Sequence, residues 1–164
     1  MMLLLAITLL LLVSACSGWL PPQPHRPDAL IFPALEFEFP QVAHLTLDNG
    51  IEVYLREDHD LPLVEVSAMV GGGSVFDPAE MTGLSDLFVE GLQTGGAGER
   101  SPQQLEEALD NMAADLAASS GSYAYTIAMS MRRQDLLAGT GILADVLRRP
   151  RFDPQRLEIA RQGL

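Results

Sequence analysis

The pattern of apolar and polar positions predicts three β-strands between residues 43 and 70. Residues 44–47 and 51–56 flank Asp48-Asn49-Gly50, and an Asn-Gly pair between alternating apolar positions is the strongest local signal for a β-hairpin. Residues 63–70 are mostly apolar on both faces, which is typical of a strand inside a covered sheet. The pattern therefore predicts a hairpin followed by a buried strand.

Beyond Gly83 the apolar positions recur with the period of an α-helix. The first helical stripe contains Leu84, Leu87, Phe88 and Leu92. A second helix begins after Ser101, because Ser101, Pro102 and Gln104 supply an N-cap, a first-turn proline and a capping-box partner. The predicted buried stripe of this second helix contains Leu105, Leu109, Met112 and Leu116. The region thus predicts two consecutive amphipathic helices.

A further strand and two further helices complete the pattern. Residues 122–130 alternate with a period of two, which predicts a strand whose apolar face, with core aromatics, contains Tyr123, Tyr125, Ile127 and Met129. Residues 136–147 predict a helix that ends before Pro150, although two internal glycines weaken it. Asp153-Pro154 begins a last helix with no stop signal before Leu164, so we expect the sequence to be truncated at its C-terminal end.

The N-terminal segment has the composition of a targeting signal. Residues 1–13 are an apolar run too short to span a membrane, and small residues follow at once, as in a signal peptide over residues 1–15. Residues 13–16, Val-Ser-Ala-Cys, resemble the lipobox of bacterial lipoproteins. The resemblance implies a lipid anchor at Cys16, and the following Ser17 favours the outer membrane, with the protein facing the periplasm. The alternative is an ordinary signal peptide with an unrelated cysteine.

The chain beyond the signal divides into a tether and one folded domain. Residues 16–42 are rich in proline, which favours an extended tether that links the anchor to the domain. The remaining residues, 43–164, carry the predicted strands and helices. At 48% hydrophobic and 20% charged residues, the composition of the whole chain is that of a globular protein.

The composition also excludes several classes of function. The 164-residue chain has 10 basic residues, all arginine, against 22 acidic ones, and its net charge of −12 leaves no basic surface for nucleic acid. Cys16 is the single cysteine, which excludes a disulfide framework, a zinc ribbon and a C-x-x-C redox site. The motifs of P-loop, dinucleotide-binding and serine hydrolase enzymes are absent from the sequence.

Several short motifs of the chain are informative when they are taken together. They are Leu47-Asp48-Asn49-Gly50-Ile51, Gly73-Ser74, Asp77-Pro78, Gly83-Leu84, and residues 143–150 with Phe152. In this order and spacing they resemble the pitrilysin or insulinase-like metallopeptidases, over about residues 45–162. The resemblance implies an N-terminal α+β domain of two layers, with helices packed on a mixed or antiparallel sheet. In that family the domain is normally repeated and paired as two halves of a clam-shell that encloses peptides.

The same resemblance places the family's zinc motif on the helix that begins with Gly83-Leu84. In active members this helix carries H-x-x-E-H, in which two histidines bind zinc and the glutamate is the general base that activates water. At the corresponding positions this sequence has Asp86, Val89 and Glu90. All the histidines of the chain lie upstream of the helix, at His25, His44 and His59. The resemblance therefore implies a degenerate member that lacks the zinc motif.

Asp86 and Glu90 remain candidate ligands for a hard cation, because they lie one turn apart on one face of the predicted helix. Carboxylates suit Mg²⁺, Ca²⁺ or Mn²⁺ better than zinc. The alternative is that both side chains lie on a solvated helix face, where acidic pairs at this spacing are common although they repel slightly. Val89 cannot accept a proton, so we expect no catalytic residue, no cofactor in this chain and no peptide hydrolysis by the family mechanism.

Three functions follow as hypotheses. The first is a non-catalytic envelope lipoprotein that binds extended peptides at an exposed strand edge and pairs with an active subunit, which carries the zinc, or with a homologous second half. The second is a metal-dependent peptidase that uses Asp86 and Glu90 as atypical ligands. The third is a structural envelope lipoprotein that binds neither peptide nor metal. We expect the first.

Overall fold

The computed structural model of the chain describes residues 32–34, 36 and 39–163. The predicted signal peptide, the predicted lipidation site Cys16, His25 and most of the predicted tether lie outside the described residues. In the part that is described, no helix is long and apolar enough to cross a membrane.

The described residues form two compact units, divided after Arg56. The first unit contains the predicted β-hairpin, in which β1 (Ala43–Thr46) pairs antiparallel with β2 (Glu52–Leu55). Asn49-Gly50 lies in the turn, and the φ of Gly50, +83°, is a conformation that a residue without Cβ adopts at little cost. The prediction of the hairpin is confirmed.

The second unit is built on an antiparallel sheet of three strands. They are β3 (Leu63–Gly71), β4 (Asp115–Ser120) and β5 (Ala124–Arg132). Their order is β3-β5-β4, so β5 is the central strand and the other two are edges within the described part of the chain. A tight turn joins β4 to β5, and there the amide N–H of Gly121 donates to the carbonyl of Ala124 at 2.9 Å.

Helices cover one face of this sheet. In the described residues they are α1 (Leu84–Thr94), α2 (Pro102–Met112), α3 (Leu136–Arg148) and α4 (Pro154–Gly163). α1 packs on β4, α3 packs on β5, and α4 packs on α1. The buried core contains Leu92, Ala97, Leu105, Leu116, Ile127, Met129, Met131, Ile142, Leu143 and Val146. The predicted α+β class is confirmed, and the sheet is antiparallel.

Local signals begin the helices where the sequence predicts. At α2, the Oγ of Ser101 accepts the N–H of Gln104 at 3.3 Å, and the Oε1 of Gln104 accepts the N–H of Ser101 at 2.9 Å. This reciprocal pair is the predicted capping box. α1 begins after Gly83, which has a left-handed φ of 90°. α3 ends just before Pro150, again as predicted.

The sequence assigns Leu116 to the wrong element. Leu116 is buried, with 5% of its surface exposed, but it lies on β4 and not on α2. α2 ends at Met112, because Ala113 adopts a left-handed conformation with a φ of 47° and turns the chain into the strand. The strand itself is not predicted, since residues 115–120 are small or polar apart from Leu116 and lack the β-branched and aromatic side chains typical of strands.

Two further expectations about burial are wrong for the described residues. β3 is not covered on both faces: Leu63 and Met69 are 56% and 78% exposed, whereas Val64 and Val66 pack against the core. β3 therefore has one covered face and one open face. Tyr123 is 72% exposed and precedes β5, so it is not a core aromatic residue, although the predicted inward positions further along β5 are correct.

Gly139 and Gly141 provide a matched test of the packing of α3. A Cβ at Gly139 would lie 2.2 Å from the Sδ of Met131, which is itself buried, whereas a Cβ at Gly141 would meet nothing within 4 Å. We expect Gly141→Ala to raise the free energy of unfolding by about 0.5–1 kcal/mol, because alanine favours a helix interior. Gly139→Ala should lower it by about 1–3 kcal/mol through overpacking.

Urea denaturation of both glycine variants beside the unmodified protein measures the two effects. Opposite signs are expected. A stabilising effect at Gly139 as large as the one at Gly141 would contradict the close contact with Met131.

Candidate functional site

The three residues at the predicted motif positions all lie on α1. Asp86 and Glu90 are exposed and lie one turn apart, as the sequence predicts. Val89 is buried, with 8% of its surface exposed. The exposure of both carboxylates agrees with the solvated-face interpretation, and the buried Val89 is the residue at the position to which the resemblance assigns the general base.

The side chains on α1 do not fit a catalytic zinc ion. Such sites supply three protein ligands, with imidazole, thiolate or carboxylate groups converging on the metal. Asp86 and Glu90 supply two carboxylates. Over the described ranges, 32–34, 36 and 39–163, no group of three or more His, Cys, Asp or Glu side chains is placed so that it could hold a metal. We therefore derive no metal-dependent step for this chain.

The two described histidines have other partners. His44 on β1 hydrogen-bonds to Glu52 on β2, and its ring stacks on Tyr54 with a centroid distance of 4.6 Å. The Nε2 of His59 lies 3.4 Å from a carboxylate oxygen of Glu57. Each histidine thus contacts an acidic neighbour within its own unit.

The buried face of α1 is rotated from the predicted stripe. Its buried side chains belong to Ser85, Val89 and Leu92, whereas Leu84 is 43% exposed. The assignment of Leu84 to the buried stripe is therefore wrong, whereas Leu92 is buried and Phe88 packs against the core as predicted. The helix also turns Ser85 toward the interior. The reason is a polar cluster at the beginning of the helix.

That cluster joins Asp77, Ser85 and Tyr125. Asp77 accepts two hydrogen bonds from Ser85, one from the amide N–H at 3.1 Å and one from the hydroxyl at 2.6 Å. The Ser85 Oγ also lies 3.0 Å from the Tyr125 hydroxyl on β5. Because Gly83 has no side chain to cap α1, the Asp77 carboxylate supplies the cap and places negative charge at the positive end of the helix. The sequence gives little sign of this cluster, because its members are 8 and 40 residues apart.

Two glycines bring the segment that carries Asp77 close to the sheet. A Cβ at Gly73, where φ is 111°, would lie 2.3 Å from the carbonyl oxygen of Gly121. A Cβ at Gly72 would lie 2.4 Å from the ring of Tyr125. Only glycine fits this close approach, so the glycine run at the end of β3 positions the cap of α1.

The edge strand β4 lies beside α1. Gly121 and Ala124 form a hydrogen-bonded pair, so the antiparallel pattern directs the backbone groups of residues 115, 117 and 119 toward β5. The backbone groups of residues 116, 118 and 120 point away from it. One of these, the N–H of Ala118, donates to the Oε1 of Gln93 on α1 at 3.2 Å. This contact places the strand edge next to the helix that carries the motif positions.

A surface depression of about 580 Å³ is lined by the loop before α2, by α2 itself and by α3. Its lining includes Glu99, Arg100, Glu107 and Asp145. Asp145 accepts hydrogen bonds from Arg149 at 2.6 Å and from Arg100 at 3.2 Å. The hydrogen bond from Arg149 holds the pKa of Asp145 below its usual value. Since both carboxylate oxygens are engaged, Asp145 ties the loop to α3 and is a poor candidate for a general base.

The chain is similar in sequence to a known family and to several characterised proteins. The sequence model of the family described as Insulinase (Peptidase family M16) matches residues 52–163. The mitochondrial-processing peptidase subunit beta of Dictyostelium discoideum is 25% identical over 125 residues, which are 76% of this chain and 26% of that protein. The cytochrome b-c1 complex subunit 1 of Caenorhabditis elegans is 29% identical over 125 residues, with the same shares of 76% and 26%. The chain thus spans about a quarter of the length of these relatives.

Solved structures show the same fold. The crystal structure of pitrilysin matches with a TM-score of 0.64 and 25% identity over 75% of this chain and 13% of that chain. A structure described as a peptidase M16 inactive domain from Pseudomonas fluorescens matches with a TM-score of 0.64 over 75% of this chain and 30% of that chain. The identity to the second is 15%, so that likeness supports the fold alone.

The cap of α1 gives a stability prediction. We expect Asp77→Ala to lower the free energy of unfolding by about 1–3 kcal/mol, because it removes the helix cap and leaves the Ser85 hydroxyl without its acceptor. The matched control is Asp86→Ala in the first turn of the same helix, where the exposed carboxylate makes no such bonds and the expected change is within about 0.5 kcal/mol. Urea denaturation of both variants measures the difference, and equal losses would contradict the capping role.

Proposed function

The chain belongs to the insulinase family of peptidases, peptidase family M16, and from this membership we propose that it is a non-catalytic member that serves as a peptide-binding or partner subunit of an active zinc peptidase. The observation that carries the proposal is the set of side chains at the motif positions of α1: Asp86, Val89 and Glu90. The segment that this chain shares with the mitochondrial-processing peptidase subunit is about a quarter of the length of that relative.

Val89 is the strongest argument against catalysis. A general base must take a proton from the attacking water, and a valine side chain has no atom that accepts one. General acid or base catalysis typically contributes about 10²- to 10⁴-fold to a rate. Val89 is also buried, with 8% of its surface exposed. The helix therefore keeps its structural role and lacks the chemical one.

A role beside an active subunit is supported by the relatives. Two of them are themselves named as subunits, one of mitochondrial-processing peptidase and one of the cytochrome b-c1 complex. Membership of the family is therefore compatible with work inside an assembly. In this proposal the zinc belongs to the partner subunit, and this chain supplies part of the surface that holds the peptide.

Peptide binding needs a strand edge without a neighbouring strand, and within the described residues β4 has such an edge. An extended peptide adds to a sheet through backbone hydrogen bonds, which do not depend on the metal ligands. In active members the motif helix must reach the scissile peptide bond, so a peptide is expected to lie beside that helix. β4 is the edge strand that packs against α1, and we propose that the peptide pairs with this strand.

We further propose that the protein is a lipoprotein of the bacterial outer membrane that faces the periplasm. The support is the sequence pattern of residues 1–16, with an apolar run followed by small residues and Cys16. Acyl chains contribute about 0.8 kcal/mol per buried CH₂, so two or more chains hold a protein stably at a membrane surface without a spanning helix. The anchor would keep the domain close to partners in the envelope.

Metal content separates the non-catalytic proposal from a peptidase with atypical ligands. Protein that starts after Cys16 is purified without chelator and analysed for metals beside the double variant Asp86→Ala/Glu90→Ala. We expect no stoichiometric metal in either sample, because two exposed carboxylates on one helix face bind a divalent cation weakly. A stoichiometric metal that the double variant loses would contradict the proposal and favour the metal-dependent peptidase.

The partner role predicts a change in the behaviour of an active subunit. An active peptidase of this family from the same cell is assayed for peptide affinity and cleavage, with and without this protein. We expect tighter peptide binding when this protein is present. Equal binding and cleavage in both samples would contradict the proposal, and a stable complex with unchanged peptide binding would favour a structural lipoprotein.

A further inference from the structure

The side-chain amide of Gln93 occupies the central position on the open edge of β4. Its Oε1 accepts the N–H of Ala118 at 3.2 Å, across 25 residues of sequence. A backbone N–H can only donate, so the oxygen of the amide faces the strand. An amide oxygen at this place has the chemistry of the carbonyl that a pairing strand would present.

The neighbouring backbone groups on this edge have no hydrogen-bond partner within the described residues, although Leu116 is itself buried, with 5% of its surface exposed. These are the backbone groups of Leu116 and Ser120, which also point away from β5, and the carbonyl of Ala118. Gln93 therefore satisfies one donor in the middle of an edge whose groups at Ala118 and Ser120 are partly exposed.

We propose that Gln93 is a gate on the peptide-binding edge of β4: its side chain must leave Ala118 before an extended peptide pairs with the strand. This inference rests on the proposed peptide-binding role. Pairing at the edge requires a peptide carbonyl at the place that the Gln93 oxygen holds, and two acceptors do not fit on one amide N–H without weakening each bond. The side chain and the peptide are thus competitors for the same donor.

The strand also indicates the class of peptide. Ala117 and Ser119, on the open face of β4, are small and exposed, so they form no deep pocket for a particular side chain. Recognition then comes from the backbone, and the site accepts extended peptides of varied sequence. The net charge of −12 disfavours acidic peptides.

The test compares Gln93→Ala with a matched control, Gln103→Ala. Gln103 is an exposed glutamine on α2 whose side chain bonds to Glu107, so its loss removes an amide from a helix surface without opening a strand edge. The probe is a blocked, fluorescein-labelled decapeptide of net zero charge built from Thr, Ala and Ser. A second probe has the same sequence with an N-methyl group on every residue, which abolishes strand pairing along both edges of the peptide.

Fluorescence anisotropy gives the affinity, and amide hydrogen exchange followed by NMR reports the Ala118 N–H directly. We expect Gln93→Ala to bind the first probe about three- to tenfold more tightly than the unmodified protein, which is the range of one net hydrogen bond. Its Ala118 amide should exchange faster in the absence of peptide. Gln103→Ala should match the unmodified protein in both measurements, and the N-methylated probe should bind none of the proteins.

The outcomes separate the gate from the function on which it rests. Equal affinity of the first probe for the unmodified protein and Gln93→Ala would overturn the gate and leave peptide binding in place. Equal protection of the Ala118 amide in both proteins would overturn the contact itself. Binding of the first probe by neither protein would overturn the gate together with the peptide-holding role of this edge.

Discussion

The two hydrogen bonds from Ser85 to the Asp77 carboxylate set the rotation of α1, and the character of the candidate site depends on that rotation. A helix turns by about 100° per residue, so fixing one side chain toward the interior fixes the direction of all the others. With Ser85 inward, Asp86, Glu90 and Gln93 follow one another at the spacing i, i+4 and i+7 and share one stripe. The two acidic motif positions and the contact to the strand edge therefore lie along the same side of the helix, whereas Val89 is buried.

The packing that holds α1 in place does not use the exposed side chains of Asp86 and Glu90. α1 is held by the Asp77 cap and by Leu92 in the core. It is also held by close packing at Gly91, where the side chains of Phe152 and of Leu157 on α4 leave no space for a Cβ. None of these contacts involves the side chain of Asp86 or Glu90. A side chain at the exposed positions of the helix is free to change while the helix stays in place.

Structural features that depend on neighbouring residues can be predicted from the sequence, whereas features that depend on residues distant in sequence cannot. The capping box of Ser101 and Gln104 spans three residues, and the hairpin turn at Asn49-Gly50 is local, so both were correct. The strand β4 was not predicted, since its pairing with β5 and not its own small residues makes it a strand. The predicted rotation of α1 is wrong for a similar reason. The apolar pattern predicts that Leu84 is buried, but hydrogen bonds to Asp77 and Tyr125, which are distant in sequence, turn Ser85 inward instead.

An open strand edge is a liability in any protein, because it pairs with other chains without selectivity. The outer edge of β3 carries a charge, Glu65, among the residues whose backbone groups point away from β5, and a charge of this kind discourages pairing. Between Leu116 and Ser120 the edge of β4 has no charged side chain. Its protection comes from a neutral amide on another element, the Gln93 side chain. A charged side chain would repel or attract a peptide at all times, whereas the Gln93 amide rotates away when a peptide carbonyl takes its place on the Ala118 N–H. A neutral, movable side chain therefore suits a strand that stays unpaired in the free protein and pairs with a peptide when one binds.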